Sequence, residues 1–160
     1  MKPIKIFSIL LMLCLGIATA ATAQPAAVKK AANTTFTLTT FDAKGSILST
    51  SNGVFVSNNG ICVSTWKPFV GAMKAEVTDN NGQKYSVETI LGANELYDVA
   101  KFKITAKTNA ALFAPSVVAN SAAWIVMPSQ AGAPIKANID KVEKFMTKYN
   151  YCVLSTTASE

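Results

Sequence analysis

The sequence predicts an all-β chain, on three observations. From Thr34 onward, short runs alternate apolar and polar residues, the period of strands buried on one face. Asn-Gly pairs stand between such runs at Asn59-Gly60 and Asn81-Gly82, and this dipeptide tolerates the positive φ angles of a tight hairpin. Five or six short strands at this spacing fit a small antiparallel barrel or a sandwich.

Taken in order, Gln24 to Asn33 is Ala-rich with Pro25 and reads as a mobile leader. Thr34 to Thr40 alternates, with Phe36 and Leu38 on one face. Asp42-Ala43-Lys44-Gly45 is a turn, and Ser46 to Ser49 leads into the next strand. Val54-Phe55-Val56 and Ile61-Cys62-Val63 flank Ser57-Asn58-Asn59-Gly60 as a hairpin. A second hairpin joins Ala75–Thr78 to Gln83–Val87 across Asn80-Asn81-Gly82. Thr89–Leu91 and Val99–Ile104 supply two more strands. Residues 107–121, Ala-rich with Pro115, read as a linker between two lobes, and Ala122 to Met127 as a strand ended by Pro128. Ile135, Ile139, Val142, Met146 and Tyr149 recur at a spacing that suits a helix, while a long twisted hairpin fits the same residues. Tyr151 to Leu154 closes the pattern as a last strand. Trp124 and Tyr149 are taken as core.

The first residues belong to a different category. Lys2 and Lys5 precede an uncharged apolar run from Ile6 to Ile17, and Ala21-Thr22-Ala23 follows. A basic start, a short apolar middle and an Ala-x-Ala ending describe a secretory signal peptide, expected over residues 1–23. The run is short of the ~20 residues of a membrane span. The chain is therefore expected to be exported, periplasmic or extracellular, with no stable membrane anchor after cleavage. Removing Lys2 and Lys5 leaves 13 of 15 basic residues against 9 acidic ones. Every basic residue is lysine. Nucleic-acid readers use arginine for bidentate contacts to bases and phosphates, and these lysines are scattered, so no nucleic-acid partner is expected. Cys62 and Cys152 remain once Cys14 leaves with the signal. They fit either one disulfide of an exported protein or two buried thiols.

Histidine is absent from all 160 residues. Catalytic triads and most metal sites rest on imidazole. No metal and no cofactor are expected, and Ser-His-Asp proteolysis lies beyond this polypeptide acting alone.

Several segments then match one family in order. Ser51-Asn52-Gly53-Val54-Phe55-Val56, Asn59-Gly60-Ile61-Cys62-Val63-Ser64-Thr65, Gly71-Ala72 with Asn81–Tyr85, and Leu96-Tyr97-Asp98-Val99-Ala100 resemble the first barrel of trypsin-like serine proteases. The likeness is to their exported bacterial high-temperature-requirement branch and spans Thr35 to Ile104. It implies a trypsin-like antiparallel barrel over residues 34–106 and an incomplete second barrel over 122–160.

The same resemblance locates two departures. Asp98 matches the triad aspartate, and Lys67, in Thr65-Trp66-Lys67-Pro68, occupies the histidine position. An ammonium has no lone pair with which to accept a proton, so an ion pair between Lys67 and Asp98 is expected and Asp98 reads as vestigial. A Ser-Lys dyad would need a buried lysine and a serine that is not visibly supplied. Ser116, Ser121, Ser129, Ser155 and Ser159 all lack the Gly-x-Ser-Gly setting of the family's nucleophile. Trp66 suits either a peptide groove or the packing between barrels. The function expected is that of a non-catalytic protease homologue binding a peptide or protein. The alternatives are the amino-terminal part of a longer endopeptidase-like protein, or a structural exported β-domain.

Overall fold

The computed structural model describes residues 26–128, 132–145 and 149–156. The expected signal peptide, Ser129, Met146 and Ser159 lie outside these residues, as do the side chains of Tyr149 and Cys152. The chain opens with helix α1 (Ala26–Ala32). Nine strands follow: β1 (Thr35–Phe41), β2 (Ile47–Phe55), β3 (Ile61–Ser64), β4 (Lys74–Asp79), β5 (Lys84–Asn94), β6 (Val99–Ile104), β7 (Ser121–Ile125), β8 (Ile135–Phe145) and β9 (Tyr149–Thr156). Strands β1 to β6 close into one antiparallel barrel in the order β1-β2-β3-β6-β5-β4, and β7-β8-β9 form a separate three-stranded sheet. Closure leaves the six barrel strands without a free edge.

Alternation builds the barrel interior. In β6 Ala100, Phe102 and Ile104 point inward and are buried, while Val99, Lys101 and Lys103 face water. Phe36, Leu38, Phe55, Cys62, Ala75 and Val77 complete the core from the other strands. The Phe36 ring lies 4.8 Å from that of Phe55 and 6.0 Å from that of Phe102. It has room only because residue 53 is glycine: a Cβ there would stand 2.3 Å from the Phe36 ring. Cys62 is a free thiol inside this core, and burial pushes it up to about 12, which makes it inert as a nucleophile.

Asparagine and aspartate side chains shape the turns. Asp42 Oδ1 accepts the N–H groups of Lys44 and Ser46. Asp79 Oδ1 accepts those of Asn81 and Gln83 in the same way, so the second hairpin owes its turn to Asp79 as well as to Asn-Gly. At the first hairpin Gly60 adopts φ 82° with its α-carbon tight against β6: an added Cβ would lie 2.1 Å from the Ile104 carbonyl oxygen.

Two segments differ from expectation, and a third decides between two open readings. The stretch expected to be a mobile leader is helical over Ala26–Ala32 and buries Val28. Alanine has the highest helix propensity, and the last carbonyls find partners outside the helix. The Thr34 hydroxyl donates to the Ala31 carbonyl at 2.7 Å, the Thr35 hydroxyl to that of Ala32 at 2.7 Å, and the Asn80 amide also reaches Ala32. Second, the two runs around Thr89 form one long strand, β5, whose register shifts between Val87 and Thr89 and between Ile90 and Gly92. Such bulges bend a strand, here so that β5 pairs first with β4 and then with β6. Third, of the helix and the twisted hairpin that both fitted Ile135 to Tyr149, the structure has the strands: β8 pairs antiparallel with β9. Trp124 is half-buried in β7. Among the described residues no helix is long and apolar enough to cross a membrane.

Candidate functional site

Strand β3 leaves the barrel at Ser64, and the chain then turns through Trp66 into a 3-10 turn, Lys67–Phe69, with Pro68 buried. Proline at the first turn of such an element has its missing N–H where none is needed. Phe69 inserts from this turn onto the core, 5.2 Å from the Phe102 ring, and Trp66 stacks on Phe69 at 6.0 Å and 20°. Trp66 is thus half-buried at the barrel mouth, packed from below and open above.

Asp98 reaches the same mouth from the turn between β5 and β6. That turn is closed by the Asn94 side chain, which accepts the Tyr97 N–H, and by Asp98 N–H donating to the Glu95 carbonyl. Asp98 itself has φ 50°, the left-handed region that Asp and Asn tolerate better than most residues. Its Oδ1 accepts the backbone N–H of Trp66 at 2.9 Å and that of Lys67 at 2.7 Å.

The structure therefore brings Lys67 and Asp98 together, though not as an ion pair. Among the described residues the ion pairs are Lys74–Glu76 and Lys141–Glu143. The expected Lys67–Asp98 pair is replaced by backbone donation, with the lysine itself exposed to water. Exposed pairs gain little because two mobile side chains must be ordered for a screened attraction. Two fixed amides aimed at one carboxylate oxygen already satisfy it. In this setting Asp98 is a clamp between the β5–β6 turn and the 3-10 turn.

Sequence reasoning missed a set of large apolar side chains at this end. Val70 and Met73 follow the 3-10 turn and Leu96 and Tyr97 precede Asp98, with exposures of 62%, 74%, 84% and 50%. Their signal was their position in turns, where apolar residues have no strand face to fill. Of the candidate serines, Ser121 donates to the Val118 carbonyl and Ser155 to Asp140. Among the described residues no cluster of His, Cys, Asp or Glu could hold a metal ion.

No family model matches the sequence, and no curated protein matches it. Solved structures do match in fold. The crystal structure of the serine endoprotease from Yersinia pestis superposes with a TM-score of 0.61 at 17% identity, over 72% of this chain and 43% of that one. The chain thus spans less than half the length of this neighbour. At such identity the likeness speaks for architecture: this is an all-β protein with a trypsin-like fold.

Proposed function

We propose that this chain is an exported, non-catalytic relative of trypsin-like serine proteases, and that its barrel mouth binds a peptide or protein partner. The observation that carries the reading is the Lys67–Asp98 junction. The residue beside the carboxylate is an exposed lysine, and the carboxylate is occupied by two backbone amides. A serine protease needs an imidazole there to take the serine proton, and the 160 residues contain none. The exposed Val70, Met73, Leu96 and Tyr97, with Trp66 among them, offer apolar area to a partner. Fold does not dictate chemistry, so a protease barrel without its base retains only its surface.

The test is titration of the purified chain with an unfolded protein and with apolar peptides. Trp66 fluorescence follows binding, and mass spectrometry follows cleavage. Saturable binding weakened by Trp66→Ala, with the peptides left intact, supports the proposal. Cleavage that disappears in a Lys67→Ala variant refutes it and points to a lysine base.

A second reading, the amino-terminal part of a longer endopeptidase-like protein, draws on the neighbour's greater length. A Gly-x-Ser-Gly segment encoded after Glu160 would identify it.

A further inference from the structure

The sequence holds three Asn-Gly pairs, Asn52-Gly53, Asn59-Gly60 and Asn81-Gly82. Such a pair can react with itself, because glycine has no side chain to shield its N–H from the asparagine amide and its backbone turns freely. The fold treats the three differently. Asn52-Gly53 lies inside β2, where Asn52 pairs with Thr37, and Gly53 with Phe36 on one side and Ser64 on the other. The Ser64 hydroxyl also donates to the Asn52 carbonyl at 2.8 Å. Asn59-Gly60 is pinned against β6. Gly60 is buried and its carbonyl accepts the Ile104 N–H at 3.0 Å, while the Asn59 side-chain oxygen accepts the Ser57 hydroxyl. Asn81-Gly82 stands beyond the last ladder pair of its hairpin, Thr78 with Lys84. Both residues are exposed, and a Cβ added at Gly82 would meet nothing within 4 Å. Their N–H groups reach back into the same turn, Asn81 to the Asp79 carboxylate at 2.9 Å and Gly82 to the Asp79 carbonyl at 3.0 Å.

We propose that Asn81 is a site of spontaneous covalent modification in the folded chain, its amide converting to aspartate and isoaspartate, while the barrel protects Asn52 and Asn59. The Gly82 nitrogen gives its proton to water and attacks Asn81 Cγ. A C–N bond forms, the Cγ–Nδ2 bond breaks, and ammonia leaves from a five-membered succinimide. Water then adds to either ring carbonyl. Opening at the side-chain carbonyl gives aspartate, and opening at the main-chain carbonyl gives isoaspartate; nothing is oxidised or reduced. Ring closure requires the asparagine to rotate its own main chain. At Asn81 that rotation gives up hydrogen bonds of an exposed turn, which water replaces, and no strand pair is lost. At Asn52 it tears β2 from β1 and β3, and at Asn59 it lifts Gly60 off Ile104. Openings of exposed turns cost little, whereas those of paired core strands approach the stability of the whole domain. The modification would also fall beside a structural contact. Asn80, the preceding residue, meets the Ala32 carbonyl and the Thr35 hydroxyl, so an isoaspartyl link, which lengthens the backbone of this turn, disturbs the clasp on helix α1.

The experiment incubates the purified full chain at mildly alkaline pH, folded in buffer and unfolded in guanidinium chloride, until half of the Asn-Gly pairs in the unfolded sample have converted. Peptide mass mapping then reads each pair separately, since every event replaces an amide by an acid. In the unfolded chain the three pairs are expected to convert at comparable rates, which shows that their chemistry is alike. In the folded chain Asn81 is expected to convert at least about tenfold faster than Asn52 and Asn59, the spread that their different costs of opening impose. Asn81→Gln, an exposed change that keeps an amide, should remove the early product and leave the other two sites as slow as before. The proposal is overturned if Asn52 or Asn59 keeps pace with Asn81 in the folded chain. It is equally overturned if Asn81 remains intact there while the unfolded chain converts, which would mean that the Asp79 contacts hold the turn shut.

Discussion

Replacing Asp98 separates a structural carboxylate from a relic. In Asp98→Ala the Trp66 and Lys67 amides lose an ionised acceptor held at 2.9 and 2.7 Å. A hydrogen bond to a charged group contributes roughly 1.5–3 kcal/mol. The Trp66 amide is partly buried and counts nearly in full, whereas water can replace much of the bond to the exposed Lys67 amide. Alanine must also adopt the φ of 50° that aspartate adopts here, at a cost of about 1–2 kcal/mol. The total is about 3–4 kcal/mol, a fall in melting temperature on the order of 10 °C for a domain of this size. Asp98→Asn keeps an oxygen acceptor and the tolerance of left-handed backbone, and loses only the charge, so about 1–1.5 kcal/mol is expected. Urea denaturation followed by circular dichroism gives all three midpoints, with unchanged slopes showing that compactness is the same. The order natural chain, Asn, Ala is required. If Ala unfolds at the same urea concentration as the natural chain, the clamp carries no load and the account of Asp98 is wrong.

Two further predictions concern the barrel itself. Gly60→Ala and Gly71→Ala place alanine at similar φ angles, 82° and 77°, but only the first meets a carbonyl oxygen, at 2.1 Å, while the second meets open space. Gly71→Ala should cost about 1–2 kcal/mol, and Gly60→Ala clearly more, since β3 or β6 must move; equal urea midpoints would show that the close approach is absent. Cys62 should resist thiol reagents at pH 8 in the native chain and react fully in denaturant. Its thiol is raised from 9.0 to about 12 by burial. Above pH 9 the unfolded chain therefore sheds a proton that the folded chain keeps, and stability present below pH 9 is lost as pH rises toward 12. Cys62→Ala should flatten that part of the pH profile; an identical decline in both chains would contradict the burial.

The barrel was legible because its strands obey local rules. Val99 to Ile104 alternates without a break, and the hairpins at Gly60 and Gly82 carry their own turn chemistry. Legibility failed where one residue interrupts the period. The bulges in β5 shift the pairing at Thr89 and Gly92, so one strand resembled two. In β8 the register shifts between Ile139 and Lys141. The step of three from Ile139 to Val142 then acts as a strand step of two and imitates a helical spacing. Helix α1 depends on Asn80, 48 residues from the carbonyl it meets, which no local pattern reveals. At the barrel mouth the sequence placed Lys67 near Asp98 through resemblance alone. It paired their charges because side-chain charges are visible in a sequence, whereas the backbone amides that hold Asp98 are common to all residues.

The most direct test of the central claim is labelling of the natural protein, purified at its full length, with a fluorophosphonate. The probe reacts with a serine made nucleophilic by a neighbouring base. With lysine at position 67 and no histidine in these 160 residues, no label is expected, in the natural protein or in an unfolded control. A serine that labels in the folded protein and not after denaturation would contradict the account, and would show that the barrel mouth still supports catalysis.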